Sequence, residues 1–351
     1  MRKIPLIFSG IVSLVILLVA CSKADTPATG GNVFTAVAAA FGAQIDLNNL
    51  ANYAAQTKPA YIVKDNTGNN PITNAKATLG RVLFYDKKLS IDNTISCASC
   101  HKQAFAFSDT ALISSGVAGG LTDRHSMRLV NERFGVEAKF FWDERAANLE
   151  SQTTQPIADH KEMGFSGQTG RANIAALLAK LQATDYYNEL FKFTYGDITV
   201  TEPRLQECLA QFVRSIQSFD AKYDIGRAQV NNDRQPFPNF TTQENTGKDL
   251  FLTPPVFDGN SSRIGGGLGC NACHTAPEFD IDPNTRNNGV IALAVGAGQD
   301  INVTRAPTLR DLVNNRGELN TRLMHTGGIR DLATAVSHYG GFINDNRNLD
   351  Q

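Results

Sequence analysis

The chain lacks an excess of charge of either sign. It has 33 lysine and arginine residues against 34 aspartate and glutamate residues, a formal net charge of −1, and no long basic run. Binding to nucleic acid depends on clustered positive charge, so the composition does not favour a nucleic-acid partner. Strand signals are also few, and no short-period repeat is present, which together predict a mainly α fold.

Cysteine is scarce, and the six residues present leave no set for a disulfide framework. Four of them lie in two copies of the pattern Cys-x-x-Cys-His, at 97–101 and 270–274. A fifth, Cys21, ends the apolar N-terminal run. The sixth, Cys208, lies in a segment with helical periodicity, where we expect it to be a buried small hydrophobic residue.

Each Cys-x-x-Cys-His copy has the spacing that attaches a c-type haem. The two cysteines form thioether bonds to the macrocycle and the histidine ligates the iron: Cys97, Cys100 and His101 in the first copy, and Cys270, Cys273 and His274 in the second. A zinc site would place its cysteine pairs roughly 15–20 residues apart and would need no histidine after each pair. A redox dithiol would lie in a thioredoxin-like βαβ pattern, which is missing here. Two covalently bound haem c groups are therefore predicted.

An apolar run opens the chain. Arg2 and Lys3 precede it, and it ends in Leu-Val-Ala-Cys at 18–21. This ending resembles a bacterial lipobox, so residues 1–20 are predicted to be a lipoprotein signal peptide and Cys21 an acylated N-terminus at a membrane surface. An uncleaved apolar anchor would give the same topology. Residues 21–58 are predicted to be a tether that carries one apolar helix at 33–41, with the folded part starting near Pro59.

Helical periodicity recurs through the rest of the chain. Helices are predicted at 74–84 with Thr73 or Asn74 as N-cap, at 146–154 with a stop at Pro156, at 173–181 and at 203–219. A polar stretch with two prolines, 231–240, is predicted to be the domain boundary.

These motifs together resemble the bacterial dihaem cytochrome c peroxidase family, which includes the dihaem enzyme that matures methylamine dehydrogenase. The segments that carry the resemblance are, in order, 79–86, 89–90, 95–101, 141–146, 149–150, Gln152, 156–157, 162–164, 269–274, 306–310, Met324, His325, Gly327 and Gly328. The resemblance implies two cytochrome-c-like domains, at 59–235 and 236–351, each wrapped around one haem. In the family the N-terminal haem performs the peroxide chemistry, and the C-terminal haem takes electrons from a donor and relays them.

The resemblance also implies the residues of the peroxide site. Trp142, the single tryptophan, would lie between the haems, where it can also pack in the core. Gln152 and Glu162 would be the distal pair, because O–O heterolysis needs a carboxylate that carries a proton and an amide that holds the peroxide. Without the resemblance, Glu162 would be interpreted as a solvated surface charge. His160 is either a cation that tunes Glu162 or an exposed loop residue.

Two positions near the first haem depart from the family pattern. Many relatives have a loop histidine that caps the first iron until the second haem is reduced, and the matching residue here is Val117. His125 stands where relatives often have an asparagine of an interdomain calcium site, whose carbonyl partners would fall near Asn320 and Arg322. A calcium ion, a distal role for His125 and a surface or hydrogen-bonded histidine are all left open.

The second haem departs from the pattern as well. Tyr339 stands where the electron-transfer relatives have methionine, as in the methylamine-dehydrogenase-maturing enzyme, and is predicted to ligate the second iron. Its neighbour His338 is the alternative. An anionic oxygen ligand favours ferric iron and lowers the potential relative to methionine. Relatives continue beyond this region into a helix over the second haem, so the chain is either short or incomplete.

Three functions are compatible with these motifs. The leading one is a membrane-anchored peroxidase on the periplasmic side of the cell envelope. It would reduce hydrogen peroxide to water with electrons from a small cytochrome c or another redox protein. The second is a dihaem oxidase of a protein or small molecule, supported by Tyr339. The third is a dihaem electron carrier without catalysis, which would not need Gln152 and Glu162. A homodimer is left open.

Overall fold

Helices make up most of the regular structure in residues 33–136, 139–281, 285–341 and 343–349, which are those that the computed structural model describes. They are α1 (Thr35–Phe41), α2 (Asn74–Tyr85), α3 (Cys97–Cys100), α4 (Leu149–Ala158), α5 (Ile174–Gln182), α6 (Asp185–Tyr195), α7 (Glu202–Arg214), α8 (Lys222–Arg227), α9 (Thr242–Leu252) and α10 (Leu332–His338). Two small antiparallel sheets pair β1 (Pro255–Phe257) with β2 (Arg263–Gly266) and β3 (His274–Thr275) with β4 (Asp280–Ile281). The prediction of a mainly α fold is confirmed.

The core forms where α2 crosses α7. Thr73, one of the two predicted N-caps, precedes helix α2, and its side chain accepts a hydrogen bond from the amide of Lys76. At the crossing, a Cβ on Gly80 would lie only 1.9 Å from the carbonyl oxygen of Cys208, so the two backbones can approach this closely only with glycine there. Cys208 is fully buried, as predicted, and burial raises the pKa of its thiol to about 12.

Two helix boundaries differ from the sequence prediction. Helix α4 begins at Leu149 rather than Ala146, because the Asn148 side chain caps it by accepting a hydrogen bond from the amide of Ser151. It then continues through Pro156 to its end at Ala158. A proline in the last turn removes one hydrogen bond without stopping the helix at once. Helix α7 ends at Arg214, five residues before the predicted end at 219.

The folded part begins before Pro59, which corrects the predicted extent of the tether. Helix α1, predicted at 33–41, packs against α6, and Glu189 of α6 accepts hydrogen bonds from the amides of Ala36 at 3.1 Å and Val37 at 2.9 Å. Val37 and Leu47 are buried in the core. The predicted signal peptide and Cys21 lie outside the described residues. Within the described ranges, no helix is long and apolar enough to span a membrane.

Buried ion pairs join the loops after residue 285 to the preceding helices. The guanidinium of Arg310 lies 2.6 Å from the Asp224 carboxylate, and that of Arg305 lies 2.7 Å from Glu132. Tyr61 adds a 2.8 Å hydrogen bond to Asp224. The described residues from Phe34 onwards pack as one unit. The division into domains at 235/236 remains a prediction.

Candidate functional site

A cavity of about 1030 Å³ lies beside α3 and α4. The residues predicted from the sequence for the first haem and its distal side all line it: Cys97, Cys100, His101, Trp142, Gln152 and Glu162. They come from four separate parts of the chain, and the fold brings them to one cavity.

The first haem motif is folded as a single helical turn. Ser96 and Ser99 cap α3 reciprocally, the amide of Ser96 donating to the Ser99 hydroxyl at 3.0 Å. One helical turn brings the sulfurs of Cys97 and Cys100 to the same side. Burial raises the pKa of these thiols to about 12 and about 11, so both are protonated thiols at neutral pH.

The His101 ring is oriented by the backbone. Its Nδ1 lies 3.0 Å from the carbonyl oxygens of Phe107 and of Met127. Two acceptors at one nitrogen require that Nδ1 carries the proton, which leaves the Nε2 lone pair available. Burial lowers the pKa of the imidazole and keeps it neutral, the form that ligates iron. This second layer of hydrogen bonds is typical of metal-binding histidines.

Glu162 lies at the cavity wall on a loop held by Asp159. One carboxylate oxygen of Asp159 accepts hydrogen bonds from the amides of Lys161 at 2.7 Å and Glu162 at 3.0 Å. Burial, with the negative charge of Asp159 as the next cause, raises the pKa of Glu162 from 4.5 to about 7, although Arg145 opposes the rise. A carboxyl group with a pKa near neutrality suits proton transfer in both directions.

The loop with Val117 packs directly against the Glu162 loop. The amide of Val117 donates to the carbonyl oxygen of Glu162 at 3.0 Å. A Cβ on Gly116 would lie 1.9 Å from the carbonyl oxygen of Lys161, so the close approach requires glycine. The Val117 side chain is 1% exposed, lies beside Gly164, and is not among the residues that line the cavity.

Comparison with known proteins agrees with this geometry. A family model described as di-haem cytochrome c peroxidase matches residues 74–232. The chain is 29% identical to the methylamine utilization protein MauG of Methylophilus methylotrophus, over 77% of this chain and 74% of that protein. It is 28% identical to the cytochrome c551 peroxidase of Nitrosomonas europaea, over 75% and 72% of the two chains.

A solved structure is similar too. The crystal structure of a MauG-like protein associated with microbial copper homeostasis superposes with a TM-score of 0.60 at 25% identity, covering 84% of each chain. The chain is therefore similar to the di-haem cytochrome c peroxidase/MauG family, over residues 74–232 in the family model and over about three quarters of its length in the curated relatives. The fold of this family implies two cytochrome c domains and two c-type haems.

The first cavity fits the haem that a member of this family carries. It provides two thiols on one helical turn and a neutral imidazole with a free Nε2 lone pair. The residues that would hold a haem here are Cys97, Cys100 and His101.

Trp142 connects the first cavity to the C-terminal loops. Its indole nitrogen donates to the carbonyl oxygen of His125 at 2.8 Å, and its ring lies edge-to-face with His325 at 6.2 Å between centroids. Its own carbonyl oxygen accepts from the amides of Thr304 at 3.0 Å and Arg305 at 3.1 Å. The tryptophan is therefore packed between the two halves of the chain.

The structure supports the hydrogen-bonded interpretation of His125. Nδ1 lies 3.0 Å from the carbonyl oxygen of Ala111 and 3.1 Å from that of Leu112, and Nε2 lies 2.8 Å from the Thr321 hydroxyl. Both nitrogens are thus engaged, and neither is available to an iron. His160 lies outside the cavity lining, with Nδ1 2.9 Å from the Ser166 hydroxyl.

A calcium ion near His125 stays a prediction, because its expected partners near Asn320 and Arg322 are backbone carbonyl groups. The Asn320 amide donates to the carbonyl oxygen of Asp311 at 2.8 Å, and the Arg322 guanidinium donates to that of Thr110 at 2.8 Å. Over the described ranges, no group of three or more histidine, cysteine, aspartate or glutamate side chains could hold a metal ion.

The second haem motif lies in a 3₁₀ turn, Cys270–Ala272, followed by β3. Both cysteines are partly buried. The Nδ1 of His274 is buried. Burial, and then the charge of Arg128, lower the pKa of His274 to about 4, which keeps this imidazole neutral. Cys270, Cys273 and His274 therefore also fit a c-type haem.

Tyr339 and His338 lie at the C-terminal end of α10. Tyr339 is 52% exposed, and its hydroxyl lies 3.2 Å from the amide nitrogen of Asn288. His338 is buried, and its Nε2 lies 2.8 Å from the carbonyl oxygen of Asn288. The first-site cavity does not include either residue.

Sequence reasoning missed several groups that shape these sites. Asp159 lies three residues before Glu162. This spacing is typical of an aspartate whose side chain caps a turn, so the sequence does contain a signal for it. The carbonyl groups of Phe107 and Met127 that orient His101 have no signature in the sequence, because any residue supplies a carbonyl. The contacts of Asn288 likewise have no signature in the sequence.

Proposed function

We propose that this protein is a dihaem cytochrome c peroxidase that reduces hydrogen peroxide to water. Electrons would come from a small donor cytochrome and pass through the C-terminal haem to the N-terminal haem. The observation that carries the proposal is Glu162, a carboxyl group with a pKa of about 7, in the same cavity as Cys97, Cys100 and His101.

A haem bound in the cavity supplies an iron that can hold peroxide and pass electrons to it. The carboxylate of Glu162 accepts the proton from the near oxygen of peroxide and delivers it to the departing oxygen. The amide of Gln152 hydrogen-bonds the peroxide and orients it along this path. A non-catalytic electron carrier would need neither group.

Trp142 is proposed to connect the two sites. Its contacts with His125 and His325 fix the indole between the N-terminal cavity and the C-terminal loops. A rigid aromatic ring at this place would favour electron transfer from the second haem to the first. Tyr339 is proposed as the distal ligand of the second iron.

A second candidate function is oxidation of a protein or small-molecule substrate. It is favoured by Tyr339, which the resemblance associates with the methylamine-dehydrogenase-maturing enzyme, and by the 29% identity to a methylamine utilization protein. Steady-state assays that offer peroxide with either a reduced cytochrome or an oxidisable substrate would separate the two functions.

We further propose that the protein acts at the periplasmic side of the cell envelope. Acylation of Cys21 after removal of residues 1–20 would anchor it there. Domains at 59–235 and 236–351 would each hold one haem. A calcium ion and a homodimer are not part of the proposal.

The proposal is tested by replacing Glu162 with glutamine. The amide keeps the size of the side chain but cannot carry a proton, so peroxide turnover should fall by roughly 10²- to 10⁴-fold. The matched control is Glu318→Gln, at an exposed glutamate paired with Arg316, which should leave turnover unchanged. Both variants should retain two haems. Unchanged turnover in Glu162→Gln would remove the central residue of the proposal.

A further inference from the structure

Three side chains that can ligate haem iron converge on one residue, Asn288. Its side-chain amide nitrogen lies 3.3 Å from the sulfur of Met324 and 3.2 Å from the hydroxyl of Tyr339. Its carbonyl oxygen lies 2.8 Å from Nε2 of His338. A methionine sulfur and a tyrosine oxygen are therefore held beside the same hydrogen-bond donor.

The fold fixes the direction of this donor. The preceding residue, Asn287, is fully buried, and its amide group binds the carbonyl oxygen of Val303 at 3.0 Å and the amide of Gly289 at 2.8 Å. The side-chain oxygen of Asn288 accepts a hydrogen bond from the amide of Val290 at 3.2 Å. Because the oxygen is engaged there, the NH₂ group points towards Met324 and Tyr339.

The turn that carries Met324 is held in an unusual conformation. Met324 has a φ of +65°, in the left-handed region that non-glycine residues seldom adopt. Its carbonyl oxygen accepts from the amide of Gly327 at 3.0 Å, and the carbonyl oxygen of His325 accepts from the amide of His125 at 2.7 Å. Backbone of this kind persists where surrounding contacts impose it, often at functional sites.

The end of α10 is anchored on the same asparagine. Helix α10 starts at Asp331, whose side chain accepts from the amide of Thr334 at 2.7 Å. At its other end His338 is buried and uses Nε2 to bind the Asn288 carbonyl oxygen. This contact makes His338 an anchor of the helix, and Tyr339 follows it directly in the chain.

We propose that Met324 is a second axial ligand for the C-terminal haem, which exchanges with Tyr339 when the iron is reduced, and that Asn288 positions both side chains. The inference rests on the proposed ligation by Tyr339. Phenolate oxygen favours ferric iron and thioether sulfur favours ferrous iron. When the donor cytochrome delivers one electron, the iron–oxygen bond breaks and an iron–sulfur bond forms. The released phenolate of Tyr339 takes a proton from water.

The test uses the full-length dihaem protein and three variants, Tyr339→Phe, Met324→Leu and the double substitution. Magnetic circular dichroism reports whether sulfur or oxygen ligates the second haem in each oxidation state, and a spectroelectrochemical titration gives its potential. Met324→Leu should change only the ferrous spectrum. It should also lower the potential of the second haem by at least about 59 mV, which corresponds to a tenfold change in the ratio of ferrous to ferric haem for one electron. Tyr339→Phe should give a sulfur-ligated ferric haem and a higher potential.

The double substitution should show neither the sulfur nor the tyrosine oxygen at the second iron. Because the sulfur signal of Tyr339→Phe should disappear when Met324→Leu is added, the comparison identifies Met324 as the source of that sulfur. Asn288→Leu should give a mixture of ligands in the ferric protein. A ferrous spectrum of Met324→Leu identical to that of the unsubstituted protein would overturn the proposal, as would an unchanged ferric spectrum of Tyr339→Phe. None of these readouts requires peroxide turnover, so failure of the peroxidase proposal would be recognised separately.

Discussion

The protonation of Glu162 should set the pH dependence of peroxide consumption. Burial and the charge of Asp159 raise its pKa to about 7. Only the carboxylate can accept the peroxide proton, so kcat/KM should rise with pH and level off above about pH 7. At pH 5 about 1% of a group with this pKa is ionised, compared with about three quarters for an ordinary glutamate. Activity at pH 5 should therefore be roughly 100-fold below its plateau.

Asp159→Asn isolates the electrostatic part of this effect. Asparagine retains the side-chain oxygen that accepts the amides of Lys161 and Glu162, so the loop keeps its geometry while one negative charge is lost. Asp159 is exposed, and two unit charges about 4 Å apart in water interact by about 1 kcal/mol. The midpoint of the pH profile should then fall by about 0.7 pH units, because one unit is 1.36 kcal/mol.

Asp123→Asn is the matched control, since Asp123 also raises the pKa of Glu162 but ranks behind Asp159 as a cause. Its midpoint should move in the same direction by less. The assay is steady-state peroxide consumption with a reduced cytochrome from pH 4.5 to about 9. A profile of Asp159→Asn that coincides with that of the unsubstituted protein would refute the assignment of the midpoint to Glu162. A midpoint that moves upward would do the same.

Three further predictions address the cofactors, the first iron and the core. Mass spectrometry of the denatured protein should show two covalently bound haems and a mature chain starting at acylated Cys21; a chain retaining Met1 would contradict the second point. Electron paramagnetic resonance of the oxidised protein should show a high-spin ferric signal, and the oxidised protein should react with peroxide without prior reduction, because Val117 does not line the cavity and both ring nitrogens of His125 are engaged. Low-spin signals alone would show that another residue caps the iron. Gly80→Ala should destabilise the protein by about 1–3 kcal/mol, seen as a lower midpoint of thermal unfolding, because the added methyl group meets the Cys208 carbonyl oxygen; an unchanged midpoint would show that α2 and α7 can separate at no cost.

The sequence by itself determined the parts of this protein that depend on local spacing. Two Cys-x-x-Cys-His patterns predict two c-type haems because the attachment chemistry needs only five consecutive residues. The helix at 74–84 and its Thr73 cap followed from apolar periodicity and a hydroxyl at the right place. The family could be identified from short motifs in a fixed order, and so could Glu162 and Gln152 as candidates.

The tertiary structure decided what depends on residues far apart in the chain. The raised pKa of Glu162 follows from burial in a cavity assembled from distant segments, and no local pattern gives that burial. The packing of α1 on α6 includes hydrogen bonds to Glu189, about 150 residues away in the chain. The engagement of both nitrogens of His125, and the meeting of Met324 with Tyr339 at Asn288, likewise arise only when separate loops fold together. The chemistry of a side chain depends on its residue type, but the fold sets its distances to other groups and the dielectric environment around it.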